Sequence, residues 1–179
     1  MNYDQLIYDA AIKGGFNPTS AKFVVAQARH ETGNYASNVF QKNNNLFGMK
    51  YVGQSLATRG TPAPKSEWGC GGTCNSDFYS KYSSVSDSVQ DLINRNFQKT
   101  RNGVTFDDLR NAPDSTTYAS LLKKRGYYGA TINVYANGLR NALNKINVFY
   151  EEHKQGSNVA IGLLMISVAL FIAYKIKKW

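Results

Sequence analysis

The sequence predicts a mainly α-helical domain over residues 1–150 with one small β-hairpin lobe, followed by a single apolar helix over residues 158–174. Three observations carry that expectation. Apolar residues recur at helical spacing in successive stretches. The period breaks over residues 51–78, which hold Gly53, Gly60, Pro62, Pro64 and the run Gly69-Cys-Gly-Gly-Thr-Cys74. From Ser157 to Tyr174 there are 18 residues without a charged side chain.

Leu6, Ile7, Ala10 and Ala11 share one face of a first helix, which Gly14-Gly15 ends. Asn17-Pro18-Thr19-Ser20 starts a second helix, because Asn caps free N–H groups and Pro has no N–H to lose. That helix runs through Phe23, Val24, Gln27, Ala28 and Glu31 and stops at Gly33. Short β-prone pieces between the glycines and prolines of 51–78 predict the hairpin lobe. Helical spacing returns after Ser83-Ser84 with Val85, Val89, Leu92, Ile93 and Phe97. It returns with Tyr118, Leu121 and Leu122 before Gly126, and again with Tyr135, Leu139, Ala142, Leu143 and Ile146.

Residues 151–157 read as a linker, 158–174 as a transmembrane anchor and 175–179 as a basic tail. A helix of about 18 residues is ~27 Å long, close to one hydrocarbon core. Lys175, Lys177, Lys178 and Trp179 close it as interface anchors. The N-terminus has two acids and no long apolar run, so no signal peptide is expected there. The expected location is a membrane, of a virion or of a bacterium, with the lipid bilayer as a partner.

The chain of 179 residues carries 21 Lys+Arg against 12 Asp+Glu, a formal net charge of +9. Its basic residues are scattered apart from Lys123-Lys124-Arg125, which fits a solvated surface, and no nucleic-acid partner is expected. Neither GxxxxGK[ST] nor GxGxxG occurs, which removes the usual support for nucleotide chemistry. His30 and His153 lack companions at ligand spacing, so neither a metal site nor a cofactor is expected. Cys70 and Cys74 could close a small disulfide loop or stay reduced.

Of the four glutamates, only Glu31 and Glu67 lie in the globular part before the linker. Glu31 sits at a helix C-terminus, where the negative end of the dipole favours the protonated form that a general acid needs. Glu67 precedes Trp68 in the expected hairpin lobe. Two carboxylates facing a cleft from different lobes is a common way to cut glycosidic bonds. Tyr51, Trp68, Tyr127 and Tyr128 have the amphipathic rings that stack on sugars, although packing would use them equally well. Asn44 and Asn45 can cap turns and hold Leu46-Phe47 under a cleft floor.

Ala26-Gln-Ala-Arg-His-Glu31-Thr-Gly33 followed by Asn44-Asn45-Leu46-Phe47-Gly48-Met49-Lys50 resembles the glucosaminidase family of bacterial and phage peptidoglycan hydrolases. Phe78-Tyr-Ser-Lys-Tyr82 with Ser86-Asp-Ser88, and Gly126-Tyr127-Tyr128 with Tyr135-Ala136 and Leu139, resemble its later segments. The resemblance implies a lysozyme-like fold and cleavage of the β-1,4 bonds of the peptidoglycan glycan strand. It implies Glu31 as general acid, Glu67 as the second carboxylate, and Tyr127 or Tyr128 in the cleft. The residues themselves add Tyr51, Trp68 and Asn45 as further substrate-binding candidates. The sequence departs from the family pattern at Asn34-Tyr35, where an aromatic usually follows Ser-Gly directly, and at the Cys70–Cys74 stretch.

The expected function is therefore a membrane-tethered peptidoglycan hydrolase of endo-N-acetylglucosaminidase type, used by a phage to open the wall during infection or at lysis. Virion proteins would then be further partners. A lytic transglycosylase or muramidase on the same fold, and a non-catalytic wall-binding protein of a membrane-containing virion, are the alternatives.

Overall fold

The computed structural model describes residues 1–146. The expected linker, anchor and basic tail lie outside them. Among the described residues no helix is long and apolar enough to cross a membrane. Met1–Leu143 forms one compact unit and Asn144–Trp179 a second, of which residues 144–146 are described.

Three helices come first: α1 (Tyr3–Lys13), α2 (Pro18–Glu31) and the short α3 (Asn38–Asn43). They lead to an antiparallel pair of strands, β1 (Ala57–Pro62) and β2 (Phe78–Tyr82), with Ala57 opposite Tyr82 and Arg59 opposite Ser80. Between Arg59 and Pro62 the register slips, as expected where a proline brings no N–H to the ladder. The connection between the strands holds two 3₁₀ turns, Lys65–Glu67 and Asn75–Asp77. Helix α4 (Val85–Leu92) runs into a π-helical turn, Ile93–Phe97. Helices α5 (Phe106–Arg110) and α6 (Ser115–Lys124) follow, and α7 covers residues 132–146. The mainly helical domain with a small β lobe is as the sequence predicts. Helices α3 and α5 and the π turn are additions, each too short to display an apolar period.

The helix starts follow from side chains that accept free N–H groups. Asn17 Oδ1 takes the Ser20 N–H at 2.9 Å, and Ser84 Oγ takes that of Asp87 at 3.1 Å. Thr105 and Asp108 form a reciprocal capping box. Three helix ends are built alike. Gly15, Gly33 and Gly126 have φ of +99°, +58° and +74°. The N–H of the next residue then reaches back five positions: Phe16 to Ala11 at 3.1 Å, Asn34 to Arg29 at 2.7 Å, Tyr127 to Leu122 at 3.0 Å. This Schellman ending needs a residue without Cβ strain at the reversal. It turns Phe16 into the core and Tyr127 back over its own helix.

Helix α1 packs across α2 and α4, where Ile7, Ala11, Val24, Ala28, Val89 and Leu92 retain no accessible surface. Each large aliphatic buried in this way stabilises the fold by roughly 1.5–3 kcal/mol. Phe16 joins this core to the later helices through edge-on contacts with Phe106 at 5.3 Å and Phe97 at 6.0 Å. At the π turn the Gln98 N–H bonds to Ile93 O at 2.9 Å, one residue further back than in an α-helix. Buried Arg125 satisfies the carbonyls beside it, donating to Asn96, to Lys99 at 2.7 Å and to Val104 at 2.6 Å.

Hydrogen bonds from Thr105 and Thr117 hold the carboxyls of Asp108 and Asp114 below the ordinary value of 3.8. A carboxyl with a depressed folded value stabilises the fold above its unfolded value, and that stabilisation is lost as the pH falls through the folded value. Stability in urea is thus expected to be level from pH 7 down to about 4 and to decline below. Asp114→Ala should cost about 1 kcal/mol at pH 7 and remove part of the acid decline. Urea unfolding followed by tyrosine and tryptophan fluorescence at several pH values checks both.

Candidate active site

Glu31 occupies the last position of α2 and is exposed. Its Oε1 accepts a hydrogen bond from the Tyr135 hydroxyl at 2.7 Å. Tyr135 is itself buried on α7, stacked face to face on Tyr128 with centroids 3.8 Å apart and rings inclined by 6°. His30 meets the same ring edge-on at 5.0 Å. Behind them Tyr118, fully buried, donates to Gln27 Oε1 at 2.8 Å. The Tyr127 hydroxyl and Gln27 Nε2 are near one another in this interior, and neither makes a hydrogen bond of normal length. Burial pushes the phenols of Tyr118, Tyr127 and Tyr135 upward, and the Glu31 charge pushes the last two further. They remain neutral donors at any working pH. A phenol donating to one carboxyl oxygen fixes the group's orientation and leaves the other oxygen for substrate.

The chain turns sharply after Glu31. Gly33, Asn34 and Tyr35 are left-handed in succession, with φ of 58°, 58° and 69°. An aromatic residue there is strained and is held from several sides. The Tyr35 hydroxyl donates to Asp4 Oδ1 at 2.6 Å, its N–H to Thr32 Oγ1 at 2.9 Å, and its carbonyl accepts from Gln41 at 2.6 Å. Buried Asp4 also receives a two-pronged contact from Arg29, at 2.8 and 2.6 Å. Asn34-Tyr35, the point of departure from the family pattern, is thus the clamp that closes the end of α2 onto α1.

Glu67 ends the 3₁₀ turn of the β lobe, with 46% of its side chain exposed, and pairs with Lys50 Nζ at 2.6 Å. The Lys50 ammonium also sits on the Tyr79 ring, 4.4 Å from its centroid. Burial raises the Tyr79 phenol, and the Glu67 charge adds to this. Trp68 is half-buried. Its Nε1 donates to Ala63 O at 2.8 Å, and its ring lies so close over Gly72 that a Cβ there would come within 2.8 Å of it. Cys70 and Cys74 form a disulfide. Buried Asp77 lies within the loop and accepts from the N–H groups of Gly69 and Gly72 at 2.7 Å each and Cys70 at 3.3 Å. Burial alone would raise its carboxyl, but these backbone donors outweigh it and hold it low. The ligand atoms of Cys70, Cys74 and Asp77 lie within 4.8 Å of one another. The sulfurs are bonded to each other and the carboxylate is occupied by backbone, so the cluster is a pinned loop.

Asn45 is buried under this lobe. Its Nδ2 donates to Met49 O at 2.8 Å and Ser80 O at 3.0 Å, and its Oδ1 accepts from the N–H groups of Phe47 and Met49. Its amide is occupied entirely by backbone, and Leu46 and Phe47 beside it are buried. Tyr51 is half-buried, with its N–H bonded to Phe78 O at 2.9 Å. The structure thus gathers Glu31, Tyr127 and Tyr128 in one group and Glu67 and Trp68 in another, with Tyr51 and Asn45 on either side of Lys50. Among the described residues no hydrogen bond or ion pair joins the two groups. Two contacts of the carboxylates escape a reading for site residues. Tyr135 sits at core spacing beside Leu139, and Lys50 reads as a solvated charge.

A helical domain with a two-stranded lobe and a helix-end glutamate backed by tyrosines fits the lysozyme-like α+β fold class. The chain is a member of the glucosaminidase family, whose model, described as mannosyl-glycoprotein endo-beta-N-acetylglucosaminidase, matches residues 5–148. Among solved structures it is similar to a peptidoglycan hydrolase mutant from Sphingomonas sp. A1, with 25% identity and a TM-score of 0.51, covering 79% of this chain and 91% of that one. A type VI secretion system effector–immunity complex from Pseudomonas protegens shares the fold at 15% identity, with a TM-score of 0.55 and 80% and 86% of the two chains covered. The catalytic domain of the autolysin Auto from Listeria monocytogenes matches at 24% identity and a TM-score of 0.47, over 80% of each chain. No curated protein is significantly similar to the chain.

Tyr135→Phe keeps the ring stack and deletes the bond to Glu31. It should lower kcat on glycan about tenfold with little change in KM, because the acid loses the bond that orients it. Gly138 is the contrasting position, since a Cβ there would collide with the His30 imidazole. Gly138→Ala should destabilise the fold by about 1–3 kcal/mol in urea unfolding.

Proposed function

We propose that this protein is a peptidoglycan hydrolase that cuts β-1,4 bonds of the glycan strand, of endo-N-acetylglucosaminidase type, with Glu31 as general acid. The bond from Tyr135 to Glu31 Oε1 carries this reading, because it leaves the second oxygen to deliver a proton. Family membership and the likeness to the Sphingomonas hydrolase support it.

In the mechanism, Glu31 protonates the glycosidic oxygen as the bond to the sugar carbon breaks. The oxocarbenium-like centre is met by water that Glu67 activates, or by the substrate's own acetamido group. The half-buried Tyr51, Trp68, Tyr127 and Tyr128 line the path of the sugar rings, and Asn45 keeps the floor beneath them rigid. One observation favours a second reading. Glu67 is engaged by Lys50, and a fold using Glu31 as its single acid would release anhydro products as a lytic transglycosylase.

The apolar stretch 158–174 tethers the domain to a membrane. A tethered wall-cutting domain suits a phage that opens the wall locally, during infection or at lysis.

Mass spectrometry of peptidoglycan digested with the full chain in detergent tests the chemistry. New reducing ends at N-acetylglucosamine are expected, falling at least about a hundredfold with Glu31→Gln and less with Glu67→Gln if the acetamido group assists. Reducing muramic ends would make the enzyme a muramidase, and anhydro ends a transglycosylase. Wild-type protein that leaves walls intact would overturn the reading. The full chain should float with liposomes while residues 1–155 stay in the dense fractions; equal partition would remove the tether.

A further inference from the structure

Beside the Glu67 lobe lies a groove of about 430 Å³ between α3 and the segment that leaves β1. Val39, Pro62, Pro64 and Tyr79 form its apolar sides, and Asn38 and Lys42 supply polar groups from α3. The proline wall is fixed in place. Between the two prolines, Ala63 gives its N–H to Asp77 O at 2.8 Å and takes Trp68 Nε1 on its carbonyl at 2.8 Å. Neither proline has an N–H, so that side presents ring surface and carbonyls only. Tyr79 is shared with the site: its ring lines the groove and also carries the Lys50 ammonium that pairs with Glu67. Lys42 is exposed, and its ammonium has no acidic partner among the described residues.

We propose that this groove binds a short, carboxylate-bearing peptide, the branch that hangs from the glycan strand next to the bond being cut. This rests on the peptidoglycan reading given above and adds a second recognised element to it. A peptide-free strand offers only the lactyl carboxylate held against each muramic sugar, and no apolar side chains for a wall of two prolines, a valine and a tyrosine. An acidic peptide branch offers apolar side chains together with a carboxylate that stands away from the sugar. The volume lies within the range of pockets that enclose a small ligand, and the rigid proline wall lowers the entropy lost when one docks. Tyr79 couples the two sites physically, so a branch seated in the groove brings its sugar toward the Lys50–Glu67 pair.

The test compares the full chain in detergent on two substrates: peptide-bearing glycan strands, and the same strands stripped of peptide by an amidase. Wild type should prefer the peptide-bearing strands by about tenfold in kcat/KM, mainly through KM. Lys42→Glu should abolish that preference while leaving turnover of stripped strands unchanged, and Lys42→Arg should retain it. A wild type indifferent to the peptide, or a Lys42→Glu variant slowed equally on both strands, would overturn the proposal. Failure of the hydrolase reading looks different, since wild type would then cut neither strand. In that case titration of the isotope-labelled chain with a synthetic tripeptide bearing two carboxylates decides. Saturable amide shifts at Val39, Lys42 and Tyr79 that vanish in Lys42→Glu sustain the groove, and their absence overturns it.

Discussion

The buried amide of Asn45, together with the Tyr82–Asp91 bond from β2 to α4 at 2.6 Å, fixes the two lobes of this domain to each other. The amide bonds to Phe47 and Met49 on its own turn and to Ser80 on β2. On the next residue, the Leu46 N–H bonds to Ser88 of α4 at 3.1 Å. The turn therefore touches the sheet with one residue and the helical core with its neighbour. A buried amide with every donor and acceptor matched is worth keeping, because any shift of either lobe would leave a polar group unpaired in the interior. Lys50 follows directly from that turn, and so the cation that meets Glu67 is placed by the same bonds.

The two carboxylates are held by different physics. Glu31 rides on a long helix whose end is closed by a glycine reversal, a strained tyrosine and a buried ion pair, and its backing is aromatic. Glu67 rides on a short turn whose shape comes from prolines, an indole N–H and a loop wrapped around Asp77. Its direct tie is one lysine. The first arrangement is rigid from the core outward. The second is rigid only as far as the Ala63–Trp68 bond, and its exposed end can answer to a substrate.

The residues made most of the fold legible, because α1, α2, α4, α6 and α7 are long enough to repeat their apolar spacing and have glycine or capping side chains at their ends. Helices α3 and α5 span little more than one turn, so no period could reveal them, although Thr105-x-x-Asp108 is a capping box in plain sight. The candidate site was legible where chemistry and motif coincide, at Glu31. It was obscure at Tyr135, where the same heptad-like spacing serves both the core and the contact with Glu31. Tyr127 and Tyr128 follow from one glycine reversal yet point differently, one into the interior near Gln27 and the other flat against Tyr135. No local sequence signal separates them, since the difference arises from what α2 and α7 present on either side.

The loop between Cys70 and Cys74 has two independent fasteners, one covalent and one made of backbone N–H groups around Asp77. They respond to different surroundings. The covalent one needs an oxidising medium, whereas the electrostatic one holds in a reducing or an oxidising one. A polypeptide made in a reducing cytosol would already carry the loop in its final shape, with both sulfurs side by side. Oxidation would then seal a structure that had formed beforehand.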